Sequence, residues 1–260
     1  MIRLLRTLQY HLKMCLVGLW CAISTIVFYL LSFPFNRRKW LAWAYAQMLN
    51  FGVRLILGVK VEVLGRENMI AGPAMVTMNH QSNFDPLLQG PVFPKNAIII
   101  GKKELLKIPL WGRLFKASNN ILVDRGERSN KSDQQDAREK TAGVDQAIHR
   151  LKDDDCYIWI FPEGTRSQGS KMGQFKRGAF IMAIEAQVPI IPMISKPLKY
   201  VLDVPNKLAV GGKHQIKILP PVATAGMTLD DLPALIAKFE QLYAASMAKY
   251  LNCSIDEVFA

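Results

Sequence analysis

A histidine and an aspartate five residues apart open the case for chemistry. His80 and Asp85 lie in the stretch NHQSNFDPLL, residues 79–88. Imidazole is the side chain best suited to take a proton near neutral pH, and a carboxylate beside it can orient the ring and stabilise its charged form. Residues five apart do not face each other on a continuous helix, so a turn must bring them together. The sequence offers one: an apolar strand, AMVTM (74–78), runs into the stretch, and Asp85-Pro86 has the form of a helix start, with Asp as N-cap and Pro at the first helical position. The alternative is a structural histidine after a strand and an aspartate that only caps a helix. These residues alone leave both readings open.

A second polar stretch, FPEGTRS at 161–167, also follows an apolar strand directly. Gly164 permits close approach of backbone to a ligand. Thr165, Arg166 and Ser167 are donors of the kind that hold phosphate, with Arg as the bidentate partner. Glu163 could accept a hydrogen bond from a hydroxyl. An ordinary polar loop would also read this way.

The elements that must position these residues are legible from Gly58 onward. Short runs of apolar and β-branched residues alternate with helical stretches: VKVEVL (59–64), AMVTM (74–78), AIII (97–100), NILV (120–123), YIWIF (157–161), VPIIPMI (188–194) and HQIKIL (214–219). Strands alternating with helices predict an α/β sheet domain. Residues 130–152 read as an exposed helix capped by Ser132, and Leu232 to Tyr243 carry apolar residues at helical spacing. Asp153–Asp155 read as a polar turn before a strand and not as a metal site. The expected division is a membrane-associated helical segment, 1–58, and an α/β domain, 59–260.

The N-terminal segment has its own logic. No charged residue occurs from Met14 to Phe35. As a helix this run would reach about 33 Å, against a hydrocarbon core of about 30 Å. It is too long for a signal peptide, and no small-x-small cleavage site follows. A second apolar stretch, Trp40 to Val59, begins after Arg37, Arg38 and Lys39. Basic residues flank the first run on both sides, so orientation is not set by charge. A two-helix hairpin turning near Ser32–Asn36, a single span, and a pair of buried core helices all remain open. The net charge is +12, which favours anionic partners. No aromatic–basic stacking platform or helix-turn-helix pattern points to nucleic acid. The four cysteines form no CxxC pair, which argues for a reduced compartment without structural zinc.

Taken together the two polar stretches resemble the glycerolipid acyltransferase family, in particular its bacterial 1-acylglycerol-3-phosphate acyltransferases. Asn-His-x4-Asp is followed some eighty residues later by Phe-Pro-Glu-Gly-Thr-Arg-Ser. Between them lies GKKELLKIPLWGRLFKASNNILVDR (101–125), and after them come FKRGAF (175–180) and VPIIP (188–192), all in the family's order. The resemblance implies a glycerol-3-phosphate-acyltransferase-like mixed sheet flanked by helices, preceded by a two-helix membrane hairpin. It implies that His80 is the general base and Asp85 its partner. Arg125, Lys102, Glu163, Gly164, Thr165 and Arg166 would bind substrate, chiefly the acceptor's glycerol phosphate. Pro189 would shape the acyl or carrier side. The acceptor would be lysophosphatidic acid and the donor acyl-CoA or acyl carrier protein, with no metal, no other cofactor and no protein nucleophile. Such an enzyme works on membrane lipids, at the bacterial inner membrane with its catalytic domain facing the cytoplasm. Two rivals stay in view: another lysolipid acceptor, and a thioesterase in which water replaces the alcohol.

Overall fold

The computed structural model describes residues 2–35, 38–123, 133–167 and 171–259. Two helices come first, α1 (Ile2–Leu31) and α2 (Lys39–Leu57). Among the described residues seven strands then form one sheet: β1 (Val59–Leu64), β2 (Ala74–Met78), β3 (Ala97–Lys102), β4 (Ile121–Val123), β5 (Tyr157–Ile160), β6 (Ile190–Ser195) and β7 (Gly212–Ile218). Helices α3 (Asp85–Leu88), α4 (Trp111–Ala117), α5 (Asp133–Asp153), α6 (Gly178–Ala186) and α7 (Leu232–Leu251) complete the body. Each apolar run expected to be a strand is one. Boundaries shift by two residues at most: β3 runs on to Lys102, β6 starts after Val188-Pro189, and β7 starts at Gly212. The expected cap at Ser132 lies outside the described residues.

The strand order is β1-β7-β6-β2-β5-β3-β4. The block β6, β2, β5, β3, β4 is parallel, β7 runs antiparallel to β6, and β1 is parallel to β7, so the sheet is mixed. β2 and β6 are buried along their whole length, as parallel strands covered on both faces must be. On one face Met75, Ile98, Ile158 and Ile190 pack with Phe180 of α6 and Phe239 and Tyr243 of α7. On the other, Val76, Met78, Trp159 and Ile191 pack with Ala42, Trp43 and Ala46 of α2 and with Phe93. The apolarity of α2 is therefore used largely on the body.

Helix α1 lies against α2 and runs antiparallel to it. Trp20 Nε1 donates to the Met48 carbonyl at 3.0 Å, and the Thr25 and Tyr45 hydroxyls meet at 2.8 Å. Gly52 makes this approach possible, because a Cβ there would come within 2.1 Å of the Trp20 indole. Lys13 Nζ ties α1 to the body by donating to the carbonyls of Leu57 (3.2 Å) and Ala209 (3.0 Å). The outward face of α1 stays apolar and exposed, with Leu4, Leu8, Leu12, Leu19, Ile23 and Leu30 along it. Among the described residues α1 is the one helix long and apolar enough to cross a membrane, with mean hydropathy 2.2 over Leu4–Leu31.

Candidate active site

The C-terminal ends of adjacent parallel strands are where α/β sheets place ligands. Here β2 and β5 are neighbours, so the loops that follow them, 79–84 and 161–167, meet at one end of the sheet. Asp85 is buried at the start of the one-turn helix α3. Its Oδ2 receives His80 Nδ1 at 2.8 Å and the backbone N–H groups of Gln81 (2.6 Å) and Ser82 (2.9 Å). The expected N-cap role is corrected by this arrangement. Phe84 is the N-cap residue, no side chain caps the helix, and the carboxylate instead ties down the loop that carries His80. Three donors thus converge on one carboxylate oxygen. With Nδ1 committed to Asp85, His80 Nε2 is the nitrogen left for a substrate. The ring is 18% exposed, enough for access. It stacks on Phe161, with centroids 4.0 Å apart and planes 14° apart, which fixes its tilt.

Glu163 departs from expectation. It is 1% exposed and turned away from the cavity. Its Oε1 accepts from the backbone N–H of His80 at 2.6 Å, and its Oε2 accepts from that of Gly173 at 3.0 Å. The carboxylate therefore clamps the His80 loop to residue 173, with both of its oxygens already accepting from backbone N–H groups. Burial pushes its pKa from 4.5 to about 7, against the two backbone donors and the charge of His80, which pull it down. The turn that follows needs Gly164, whose φ of 69° is a left-handed conformation. It sends Thr165 and Arg166 outward, where both are exposed, and Arg166 Nη1 donates to Asn83 Oδ1 across to the other loop. The Ser167 N–H closes the pair by donating to the His80 carbonyl at 2.9 Å.

The two loops stand at one end of a large apolar cavity of about 1100 Å³. Small-molecule pockets run roughly 300–1,000 Å³, so this one suits a long ligand. His80, Asn83, Gly164, Thr165 and Arg166 form its polar part. The rest is walled by Cys21, Ala22, Thr25 and Ile26 of α1, Tyr45 and Leu49 of α2, and Leu105, Ile108, Leu110, Trp111 and Phe115 from the region between β3 and β4. The segment between β3 and β4 interleaves basic and apolar residues: Leu105, Ile108, Leu110, Trp111 and Phe115 line the cavity, while Lys103 and Lys107 are exposed.

The remaining expected residues fare differently. Lys102 ends β3, directly after the cavity-lining Gly101. Arg125 lies outside the described residues. Pro189 is corrected: it sits ahead of β6 with its carbonyl accepting from the Met75 N–H at 2.9 Å, at the opposite end of the strands from His80, and it does not line the cavity. Sequence reasoning missed the ring of Phe161 and the amides of Asn79, Gln81 and Asn83. The amides flank His80 in the sequence, which was the available signal.

With this geometry in place the comparisons decide the family. The family model described as Acyltransferase matches residues 60–196, more than half of the chain. The chain belongs to this acyltransferase family. The 1-acyl-sn-glycerol-3-phosphate acyltransferase alpha of Homo sapiens is 35% identical over 190 residues, which is 73% of this chain and 64% of the human protein. The 1-acyl-sn-glycerol-3-phosphate acyltransferase of Escherichia coli (strain K12) is 29% identical over 255 residues, 95% of this chain and 92% of its own. The chain spans just under two thirds of the length of the animal relatives it matches. Among solved structures, the 1-acyl-sn-glycerophosphate acyltransferase PlsC of Thermotoga maritima shares the fold, with a TM-score of 0.65 at 24% identity over 91% of this chain and 92% of that one. The acyltransferase match begins within β1 and ends just past β6, so it contains both loops of the site.

Proposed function

We propose that this acyltransferase moves a fatty acyl group from an acyl thioester to the free sn-2 hydroxyl of 1-acylglycerol 3-phosphate, giving phosphatidic acid. The observation that carries the reading is a histidine–aspartate pair at the polar end of a long apolar cavity, with an exposed arginine on its rim. The apolar length suits acyl chain, the arginine suits the acceptor phosphate, and His80 Nε2 lies between them. The acceptor hydroxyl gives its proton to His80 Nε2 as its oxygen attacks the thioester carbonyl. The tetrahedral intermediate collapses, the C–S bond breaks, and the proton passes from His80 to the departing thiolate. Asp85 holds the imidazolium between the two steps. A positioned base contributes about 10²–10⁴ in rate, and alignment of two substrates roughly 7–11 kcal/mol, so the cavity matters at least as much as the base.

Either acyl-CoA or acyl carrier protein fits this scheme as donor. The outward stripe of α1, with exposed Phe51 and Leu55 of α2 beside it, supports membrane association. Lys13 and Trp20 hold α1 along the body, which supports a hairpin that enters and returns, with the N-terminus and the catalytic domain both on the cytoplasmic face of the inner membrane. The deciding assay offers lysophosphatidic acid with each donor and follows phosphatidic acid by mass spectrometry. Formation of free fatty acid alone would replace this reading with a thioesterase, and transfer only to other lysolipids would change the acceptor. A cysteine placed near residue 3 and labelled in sealed vesicles tests the hairpin: labelling from the face opposite the catalytic domain would make α1 a true span.

A further inference from the structure

A second histidine lies behind the reacting pair. His214, on β7, is 1% exposed and its Nε2 meets the Ser195 hydroxyl at 3.0 Å. Ser195, at the end of β6, is itself gripped from both sides of His80. Asn79 accepts from its N–H (2.8 Å) and donates to its carbonyl (3.0 Å), and Gln81 Nε2 donates to the same carbonyl (3.0 Å). The backbone N–H of that same Gln81 is a donor to Asp85 Oδ2. So a continuous chain of buried contacts runs from His214 through Ser195 and Gln81 to Asp85. At each end one polar atom is buried with no protein partner: Asp85 Oδ1 and His214 Nδ1. A buried carboxylate oxygen without a donor is costly, and such atoms in native proteins call for a partner.

We propose that His214 is a positioning residue of the acyl-transfer site, a neutral imidazole whose Nδ1–H, through one bound water, holds Asp85 Oδ1 and so sets the plane in which the carboxylate meets His80. With the Ser195 hydroxyl donating to Nε2 at 3.0 Å rather than to the more distant Lys196 carbonyl at 3.4 Å, the ring proton stands on Nδ1. The surroundings keep the ring neutral. Burial lowers its pKa from 6.5 to about 4, Asp85 works against that shift, and Lys196 adds to it. Strand β1 opposite contributes no charge at its level, since His214 is paired with Val61. Glu163, on β5's loop, lies close enough to feel the charges of both His80 and Asp85. A neutral donor on Oδ1 withdraws part of the negative potential that Asp85 exerts on His80. Without it His80 becomes more basic and less firmly aligned.

The inference rests on the proposed function, and its test has a readout that does not. The full chain in detergent micelles, labelled at histidine Cε1, is titrated by NMR; it has four histidines. His214→Phe keeps ring volume but no N–H. It should move the His80 midpoint to higher pH and lower kcat by roughly ten- to a hundredfold with little change in either KM. His214→Asn, which restores a donor near Nδ1, should recover both. Ser195→Ala should move the midpoint in the same direction by less. An unmoved His80 titration in His214→Phe, even with lowered thermal stability, overturns the proposal, as does failure of His214→Asn to recover it. Variant midpoints that move as expected in a protein that transfers no acyl group to lysophosphatidic acid refute the proposed function and leave the positioning role standing.

Discussion

The loops after β2 and β5 lie side by side, yet they are built on opposite plans. In the first, the two residues proposed to do the chemistry are immobilised: Asp85 takes three hydrogen bonds on one oxygen, and His80 is held by its ring nitrogen, its backbone N–H, its carbonyl and a stacked Phe161. In the second, the work is split within four residues. Glu163 is sunk into the protein and serves the first loop, while Thr165 and Arg166 face outward on the far side of a left-handed glycine. A base must be aligned before substrate arrives, so rigidity serves it. In the proposed reaction the arginine has to reach a lipid headgroup that comes and goes, so exposure would serve it.

The sharpest way to break that contrast is to remove the base. His80→Ala should lower kcat by at least ~10²-fold with the fold intact and a smaller loss of thermal midpoint than Asp85→Asn, because Asp85 keeps its two backbone donors. Asp85→Asn should also reduce turnover strongly and in addition lower stability, since the carboxylate holds two backbone N–H groups. Parallel kcat and thermal-melt measurements separate the two. Retained activity in the His80 variant would end the assignment.

Glu163 comes next. Glu163→Gln keeps the shape but puts an amide N–H₂ against one of two buried backbone N–H groups, at a cost of about 1–3 kcal/mol. It should lower the thermal midpoint and reduce kcat without selectively raising the acceptor KM. A variant whose single defect is acceptor binding would return Glu163 to the role expected from sequence.

Arg166→Ala should raise the KM for lysophosphatidic acid about tenfold while leaving the donor KM near wild type. Arg166→Lys should recover little, because a point charge does not reproduce a bidentate fork. A defect confined to the donor KM would move Arg166 to the other substrate.

The smallest expected effect concerns pH. Glu163 has a folded pKa of about 7 against an ordinary 4.5, so the folded state holds the extra proton between those values. Its contribution to stability is fully present below pH 4.5 and is lost as pH rises through 7. Chemical denaturation across this window should show the decline, and Glu163→Gln should flatten it.

Much of this architecture was legible beforehand. β-branched runs long enough to bury both faces mark the strands, and the polar stretches directly after two of them mark the site. What was hidden depends on which way a side chain turns once loops meet. Glu163 and Arg166 are three residues apart and equally polar, and only Gly164's handedness separates inward from outward. Asp85-Pro86 has every local sign of a capped helix, but a helix of one turn offers less to the carboxylate than the His80 loop does. The apolar content of α2 looked like that of α1 because burial against a sheet and burial in lipid select the same residues. The pairing of β7 against the parallel block left no mark in the strand sequences, so the position of His214 behind Asp85 could not be read from them.

Helix α1 presents Leu12, Leu19 and Ile23 outward, while its Cys21, Ala22, Thr25 and Ile26 wall the cavity. One rod of residues is therefore both outer skin and cavity wall. Its evolution is constrained accordingly. A substitution that retunes attachment by rotating or shifting the helix also reshapes the cavity proposed to take the acyl chain, and the reverse holds. Lineages that change their lipid composition would have to adjust anchoring and chain selection together, through compensating pairs on the two faces of this one helix.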